Sequence, residues 1–223
     1  VEMGRRRVLV VAGEASGDLH GGFLVQELQR QLPGVDVAAV GGDHLRACGI
    51  DILADVRLLS AAGLVEIVSS LRRHHRVMEL LKQQMDQQRP DVVVLVDYPG
   101  FNLFVAKEAK KRGIPVFFYI APQVWAWGKG RAKKMERLIE RLAVIFPFEE
   151  AIFNAHGRNF ARYVGHPLVD ELHVSGTREQ IRERHGLSLD QPLLVLMPGS
   201  RRSEVRLLLP SMLQAAQQPK SDG

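Results

Sequence analysis

At 223 residues, with 46% hydrophobic and 25% charged side chains, the sequence has the balance of a folded globular protein, long enough for one good core and part of a second. Its single cysteine, Cys48, excludes an internal disulfide framework, no Cys/His cluster offers a structural zinc site, and a reducing, cytosolic compartment fits. The net charge of +5 comes from basic clusters spread along the chain, which suit phosphorylated small molecules, anionic lipid or nucleic acid without choosing among them.

Taken in chain order, short β-branched apolar runs alternate with longer amphipathic ones. "RVLVVAG" predicts a strand, followed by the glycine-rich turn "GEASGDLHGG" and a helix over "GDLHGGFLVQELQRQL". The turn lacks both the dinucleotide fingerprint and the Walker lysine, so NAD and ATP lose support. What is left is a helix N-terminus suited to an anion or a ligand, with Glu14 and Ser16 beside it. Ser16 or Asp18 is equally suited to capping that helix, a purely structural role. "VDVAAVGG" predicts the next strand.

A long helix follows over "LVEIVSSLRRHHRVMELLKQQMDQQ", with apolar positions Leu64, Ile67, Val68, Leu71, Met78, Leu81 and Met85 at helical spacing. Core packing is the default for such a stripe. The nearly all-apolar "LLSAAGLVEIV" beside a basic cluster also has the look of a membrane-surface helix.

"PDVVVLVDYPG" is the most apolar strand and ends at Asp97. A carboxylate there costs several kcal/mol unless it is paired or used. Two roles are open: capping the helix over "NLFVAKEAKKRG", or serving as a general base whose pKa the neighbouring aromatics raise. Further strands are predicted at "IPVFFYIAP" and "LAVIFPFE", with a helix over "RAKKMERLIERL" between them. "APQVWAWGKGR" places Gln123 and Trp125 after a strand; one tryptophan is due to the core, and the other is placed to stack on a sugar or base. His166, between a glycine and a proline, predicts a turn first and a ligand or hinge role second.

Alternating β and α elements, most strands apolar at every position, predict an α/β, doubly wound, Rossmann-like parallel sheet. Ligands bind such sheets beyond the carboxyl ends of the strands, where Glu14, Ser16, Asp18, Asp97, Asn102, Gln123, Trp125, Glu149 and His166 stand. The expected organisation is one Rossmann-like domain over residues 1–168, a linker over 169–192 and the start of a second α/β domain from 193. There "LLVLMPGS" predicts a strand and "RRSEVRLLLP" a helix, too little to bury a core alone. Gly199, Ser200 and Arg201 at that helix start suit a diphosphate, leaving Glu204 for a ribose hydroxyl.

The motifs "GEASGDLHG", "VDYPGFNL", "APQVWAWGKGR", "FPFE", "VGHPL" and "PGSRRSEV", in this order, resemble the lipid-A-disaccharide synthase family over essentially the whole chain. The resemblance implies a GT-B glycosyltransferase: two Rossmann-like domains facing across a cleft, with no metal and no cofactor. It implies transfer of 2,3-diacylglucosamine from its UDP derivative to the 6-hydroxyl of 2,3-diacylglucosamine 1-phosphate, with inversion. Asp97 matches the family's proposed base and Arg201 an arginine implicated in function. Glu14, Ser16, Asn102, Gln123, Trp125 and His166 are expected on the sugar side, and Gly199, Ser200, Arg201 and Glu204 on the UDP side. The expected location is the cytoplasmic face of the inner membrane, peripherally bound, with a homodimer as the oligomer considered. Nucleic acid is not an expected partner, since the basic clusters lack a recognition motif. The alternatives are a non-catalytic acylated-phosphosugar-binding fragment and another GT-B UDP-sugar enzyme such as a 2-epimerase.

Overall fold

The computed structural model describes residues 6–59, 67–124, 130–199 and 202–217. The chain falls into two compact units, Val1–Glu171 and Leu172–Gly223. The first is built on a seven-stranded, wholly parallel sheet of order β3-β2-β1-β4-β5-β6-β7. Its strands are β1 (Arg7–Ala12), β2 (Asp36–Gly41), β3 (Asp51–Asp55), β4 (Val92–Val96), β5 (Val116–Tyr119), β6 (Arg141–Val144) and β7 (Ala161–Tyr163). The helices that follow them in turn are α1 (Ala15–Gln31), α2 (Asp43–Ala47), α3 (Ile67–Gln88), α4 (Pro99–Lys111), α5 (Gly130–Leu138), α6 (Pro147–Asn154) and α7 (Leu168–Glu171).

The β-branched runs explain the middle of the sheet. Along β1, Leu9 and Val11 face one core while Val8, Val10 and Ala12 face the other, so a strand apolar at every position satisfies two layers. The first core is closed by Val77, Leu81 and Met85 of α3, by Val105 and Ala109 of α4, and by Met135 of α5. The second packs Val25 of α1 and Leu45 of α2 against the opposite face. The side chains of Leu64, Ile67 and Val68 lie outside the described residues. Leu81 and Met85 are buried as the helical spacing predicts, whereas Leu71 is exposed.

Several boundaries differ from the sequence expectation. The run "LAVIFPFE" is a strand only to Val144; Pro147 opens α6, where its missing N–H is no loss at the first helical position, and Glu149 therefore sits on a helix. The short strands β3 and β7 were not expected. In the second unit, α8 (Arg178–Arg184) and α9 (Arg202–Gln217) form, the latter continuing through Pro210. The strand expected at "LLVLMPGS" does not form: no strand exists in that unit among the described residues to share a ladder with it, and Leu194, Val195 and Met197 stay exposed.

Asp18 corrects the reading of the opening turn. Neither it nor Ser16 caps α1, whose N-cap position is Glu14. Asp18 is 3% exposed, and its carboxylate accepts from the backbone N–H groups of Gly42 (2.6 Å), His44 (2.9 Å) and Leu45 (3.2 Å). It thus closes the N-terminus of α2, a different helix, where orphan amides and the dipole both favour a carboxylate. Gly42 leaves room for it, since a Cβ there would stand 2.8 Å from the carboxylate oxygen. Gly13 has a similar packing role: a Cβ at that position would overlap the Tyr98 ring.

Two stability changes follow from these contacts. Asp18→Ala leaves three amides without their acceptor and is expected to lower unfolding free energy by about 2–4 kcal/mol in urea titration. Loss of less than about 0.5 kcal/mol would mean that α2 is capped by water instead. Gly13→Ala forces a methyl group into the Tyr98 ring and is expected to destabilise by about 1–3 kcal/mol in the same titration. An unchanged midpoint would show that the ring yields freely.

Candidate active site

Because the strands are parallel, their carboxyl ends share one edge. Glu14, Asp97, Gln123, Glu149 and His166 follow β1, β4, β5, β6 and β7 in turn along it. The order reverses between β1 and β4, the usual ligand crevice of such sheets. Here that crevice is occupied by the Tyr98 ring lying against Gly13. The open space lies to one side, over the ends of β4, β5 and β6: a 390 Å³ pocket whose lining includes Asp97, Gln123, Arg131, Phe146 and Glu149.

Asp97 is held in an uncommon conformation. Its φ is 48° and that of Tyr98 is 47°, so two consecutive non-glycine residues occupy the left-handed region. The N-cap position of α4 belongs to Tyr98, one residue after Asp97, and the Tyr98 side chain makes no cap hydrogen bond. The Asp97 amide donates to the Tyr119 carbonyl at 2.9 Å, and the Asp97 carbonyl accepts from Asn102 Nδ2 at 2.7 Å. Ile120, at the end of the neighbouring strand, also lines the pocket and has φ 66°, a genuine outlier for a β-branched residue. Backbone strain of this kind concentrates at functional sites.

Tyr98 anchors the pair. Its hydroxyl donates to the Leu59 carbonyl at 3.1 Å, so His74, 3.1 Å away, donates to it through Nε2. Burial, and then the negative charge of Glu14, push the phenol above its ordinary pKa.

The remaining expected residues separate by environment. Gln123 is exposed at the pocket, and Glu149 is buried at it, its Oε2 accepting from the Phe146 amide at 3.2 Å at the start of α6. His166 Nδ1 accepts from the Leu168 amide at 3.2 Å, and its ring meets Phe146 edge-on at 5.7 Å. Ser16 is exposed on the first turn of α1. Asn102, expected to line the cleft, is instead fully buried: its amide donates to the carbonyls of Val11, Val96 and Asp97 and ties β1 to β4 from beneath. Trp125, Ser200 and Arg201 lie outside the described residues. Gly199 and Glu204 belong to the second unit, where Gly199 has φ 113° and a Cβ on it would meet the Glu204 side chain.

Sequence reasoning missed two groups. Arg131, at the start of α5, lines the pocket; the basic run "GKGR" was the signal for it. His20 lies within the opening motif, and its Nδ1 is 3.4 Å from Glu171 Oε1. Near that carboxylate, burial first and then Glu171 and Asp170 raise the Tyr119 phenol. Among the described residues no His, Cys, Asp and Glu cluster has the makings of a metal site.

Comparison with known proteins bears on this geometry. A family model described as lipid-A-disaccharide synthetase matches residues 8–223. The lipid-A-disaccharide synthase of Syntrophus aciditrophicus is 47% identical over 96% of this chain and 56% of its own length. That of Myxococcus xanthus is 43% identical over 94% and 55%. The chain thus spans about half the length of the curated relatives it matches. Among solved structures, the UDP-GlcNAc 2-epimerase of Neisseria meningitidis bound to UDP-GlcNAc superimposes with a TM-score of 0.64 at 13% identity, over 95% of this chain and 62% of that one. At that identity the likeness extends to the fold alone, the GT-B arrangement of which this chain corresponds to about half. Sequence is what separates the two readings, and by it the chain belongs to the lipid-A-disaccharide synthetase family.

Proposed function

We propose that this chain is the acceptor-side portion of an inverting glycosyltransferase that joins UDP-2,3-diacylglucosamine to 2,3-diacylglucosamine 1-phosphate. The observation that carries the reading is Asp97, held in strained backbone on the lining of the pocket beyond β4. A carboxylate on a rigid element at the end of a buried strand is suited to accept a proton from a bound hydroxyl.

In this mechanism Asp97 takes the proton of the acceptor 6-hydroxyl as its oxygen attacks the anomeric carbon from the face opposite UDP. The bond to UDP breaks with its electron pair on the diphosphate, and the anomeric centre inverts. Gln123, Glu14 and Ser16 orient sugar hydroxyls, with His166 and Phe146 as one wall and Trp125 as a stacking surface. Arg131 supplies positive charge at the pocket, suited to the acceptor phosphate. Gly199, Ser200, Arg201 and Glu204 are assigned to the UDP diphosphate and ribose. Asn102 acts by holding the Asp97 carbonyl, not by touching sugar. Work at the cytoplasmic leaflet, peripherally bound, agrees with acylated substrates; no helix among the described residues is long and apolar enough to cross a membrane.

Asp97→Asn, placed in a chain extended to the length of the relatives, tests the base. Asparagine tolerates the left-handed region at least as well as aspartate, so the melting midpoint should hold while turnover falls by about 10²-fold or more. Near-normal turnover would remove Asp97 from the chemistry. Because 2-epimerases share the fold, the same assay includes unacylated UDP-N-acetylglucosamine; its conversion by the extended chain would favour the epimerase reading instead.

A further inference from the structure

The pocket is not the only concave surface of the first unit. Phe104, on the outer side of α4, is 61% exposed and stands between two grooves. One, of 360 Å³, lies against α5 and has Leu103 and Leu138 among its apolar lining. The other, of 330 Å³, lies against α3 and includes Met78 and Phe101. Both volumes are at the low end for small-molecule pockets, about 300–1,000 Å³, so neither is built to enclose a whole lipid.

The charged residues lining the groove between α4 and α5 are all positive, whereas the groove against α3 also has Glu108 in its lining. On α5 the positions 130, 133, 134, 137 and 138 fall at helical spacing, bringing Lys133, Lys134 and Arg137 to the groove opposite Lys107 of α4. The Lys134 ammonium stands 5.9 Å from the centre of the Phe104 ring. Among the described residues none of these four cations has a carboxylate within ion-pair distance. Nearby acids are already engaged: Glu79 with Lys82 at 2.7 Å, Glu108 with Lys111 at 2.6 Å, and Asp86 with Arg112 at 2.7 Å. On α3, Leu71 is 65% exposed and shares a helical stripe with His75, Met78 and Lys82.

We propose that this face of α3, α4 and α5 docks on an anionic lipid bilayer, with Phe104 entering the interface and Lys107, Lys133, Lys134 and Arg137 meeting the headgroup phosphates. An aromatic anchor flanked by aliphatic lining and unpaired cations complements a surface that is apolar beneath and negative above. Single-stranded nucleic acid would need a track of stacking aromatics, and Phe104 is the one exposed Phe, Tyr or Trp among the described residues lining these grooves. The proposal rests on the reading of the chain as part of an enzyme of acylated, phosphorylated sugars, but its test is read without turnover, so either can fail alone.

The 223-residue chain is sedimented with vesicles of phosphatidylcholine alone and with 30 mol% phosphatidylglycerol, at about 0.1 M salt. The wild type should bind the anionic vesicles and release them as salt rises. Phe104→Ser should weaken binding at every salt concentration, and Lys133→Gln with Lys134→Gln should lower the partition coefficient by roughly 25-fold, about 5-fold per lysine. An equal charge loss at Arg141 and Arg162, on β6 and β7, is the control and should change little. Circular dichroism melts verify that each variant is folded, as expected for exposed positions. Equal binding to neutral vesicles, unaltered binding by the lysine variant, or an equal fall in the control would overturn the proposal. So would capture of an oligonucleotide, lost in the same variant, with no vesicle binding.

Discussion

Asp97 and Tyr98 sit in the left-handed region one after the other, at about 1–2 kcal/mol each, and the carboxyl edge of the sheet is arranged to keep them there. The Asp97 amide is fixed to β5 through Tyr119, and its carbonyl is fixed from below by Asn102. The Tyr98 hydroxyl is tied to Leu59 and His74, and its ring lies where Gly13 makes space. No one of these contacts outweighs the strain with much to spare, since a net hydrogen bond contributes about 0.5–1.5 kcal/mol. Together they over-determine the turn. The same ring that stabilises it also fills the crevice between β1 and β4, which leaves the open pocket over β4, β5 and β6.

Three carboxylates near this edge differ in their partners more than in their position. Asp18 accepts from three backbone amides and is committed to capping α2. Glu149 is buried and accepts from the Phe146 amide, which fixes the entry to α6. For Asp97 it is the backbone that is fixed, on both sides of the residue, while the residue itself lines the pocket.

The central strands were legible because a parallel sheet covered on both faces demands apolar residues at every position, as Val92–Val96 shows. The edge strands were not. Asp51–Asp55 begins and ends with a carboxylate, and Ala161–Tyr163 has two exposed residues of three, so neither has the pattern of a buried strand. Helix α6 was hidden behind "FPFE", where aromatics suggest a strand and only Pro147 hints at a helix start. "LLVLMPGS" failed in the opposite sense: its composition is that of a strand, but a strand exists only with a neighbour, which sequence composition does not encode. At the site, Asp97 was legible as a carboxylate at a strand end. Asn102 and Asp18 were misread, because what decides their roles is a set of partners some 5 to 91 residues away in sequence.

Helix α4 joins the two surfaces. Its first turn follows directly on the strained pair; Asn102 reaches back to hold it; and Phe101, edge-on to His74, packs inward. Phe104 and Lys107 of the same helix point to the opposite, outer side, between the grooves against α3 and α5. A bilayer seated on that side would lie against the three helices that pack on one face of the sheet, and His74 on α3 already links the groove lining to the Tyr98 hydroxyl. An enzyme acting on acylated sugars needs its base near the plane from which the acyl chains emerge. On the proposed reading, one helix, α4, would support the base at its start and meet the lipid on its outer face.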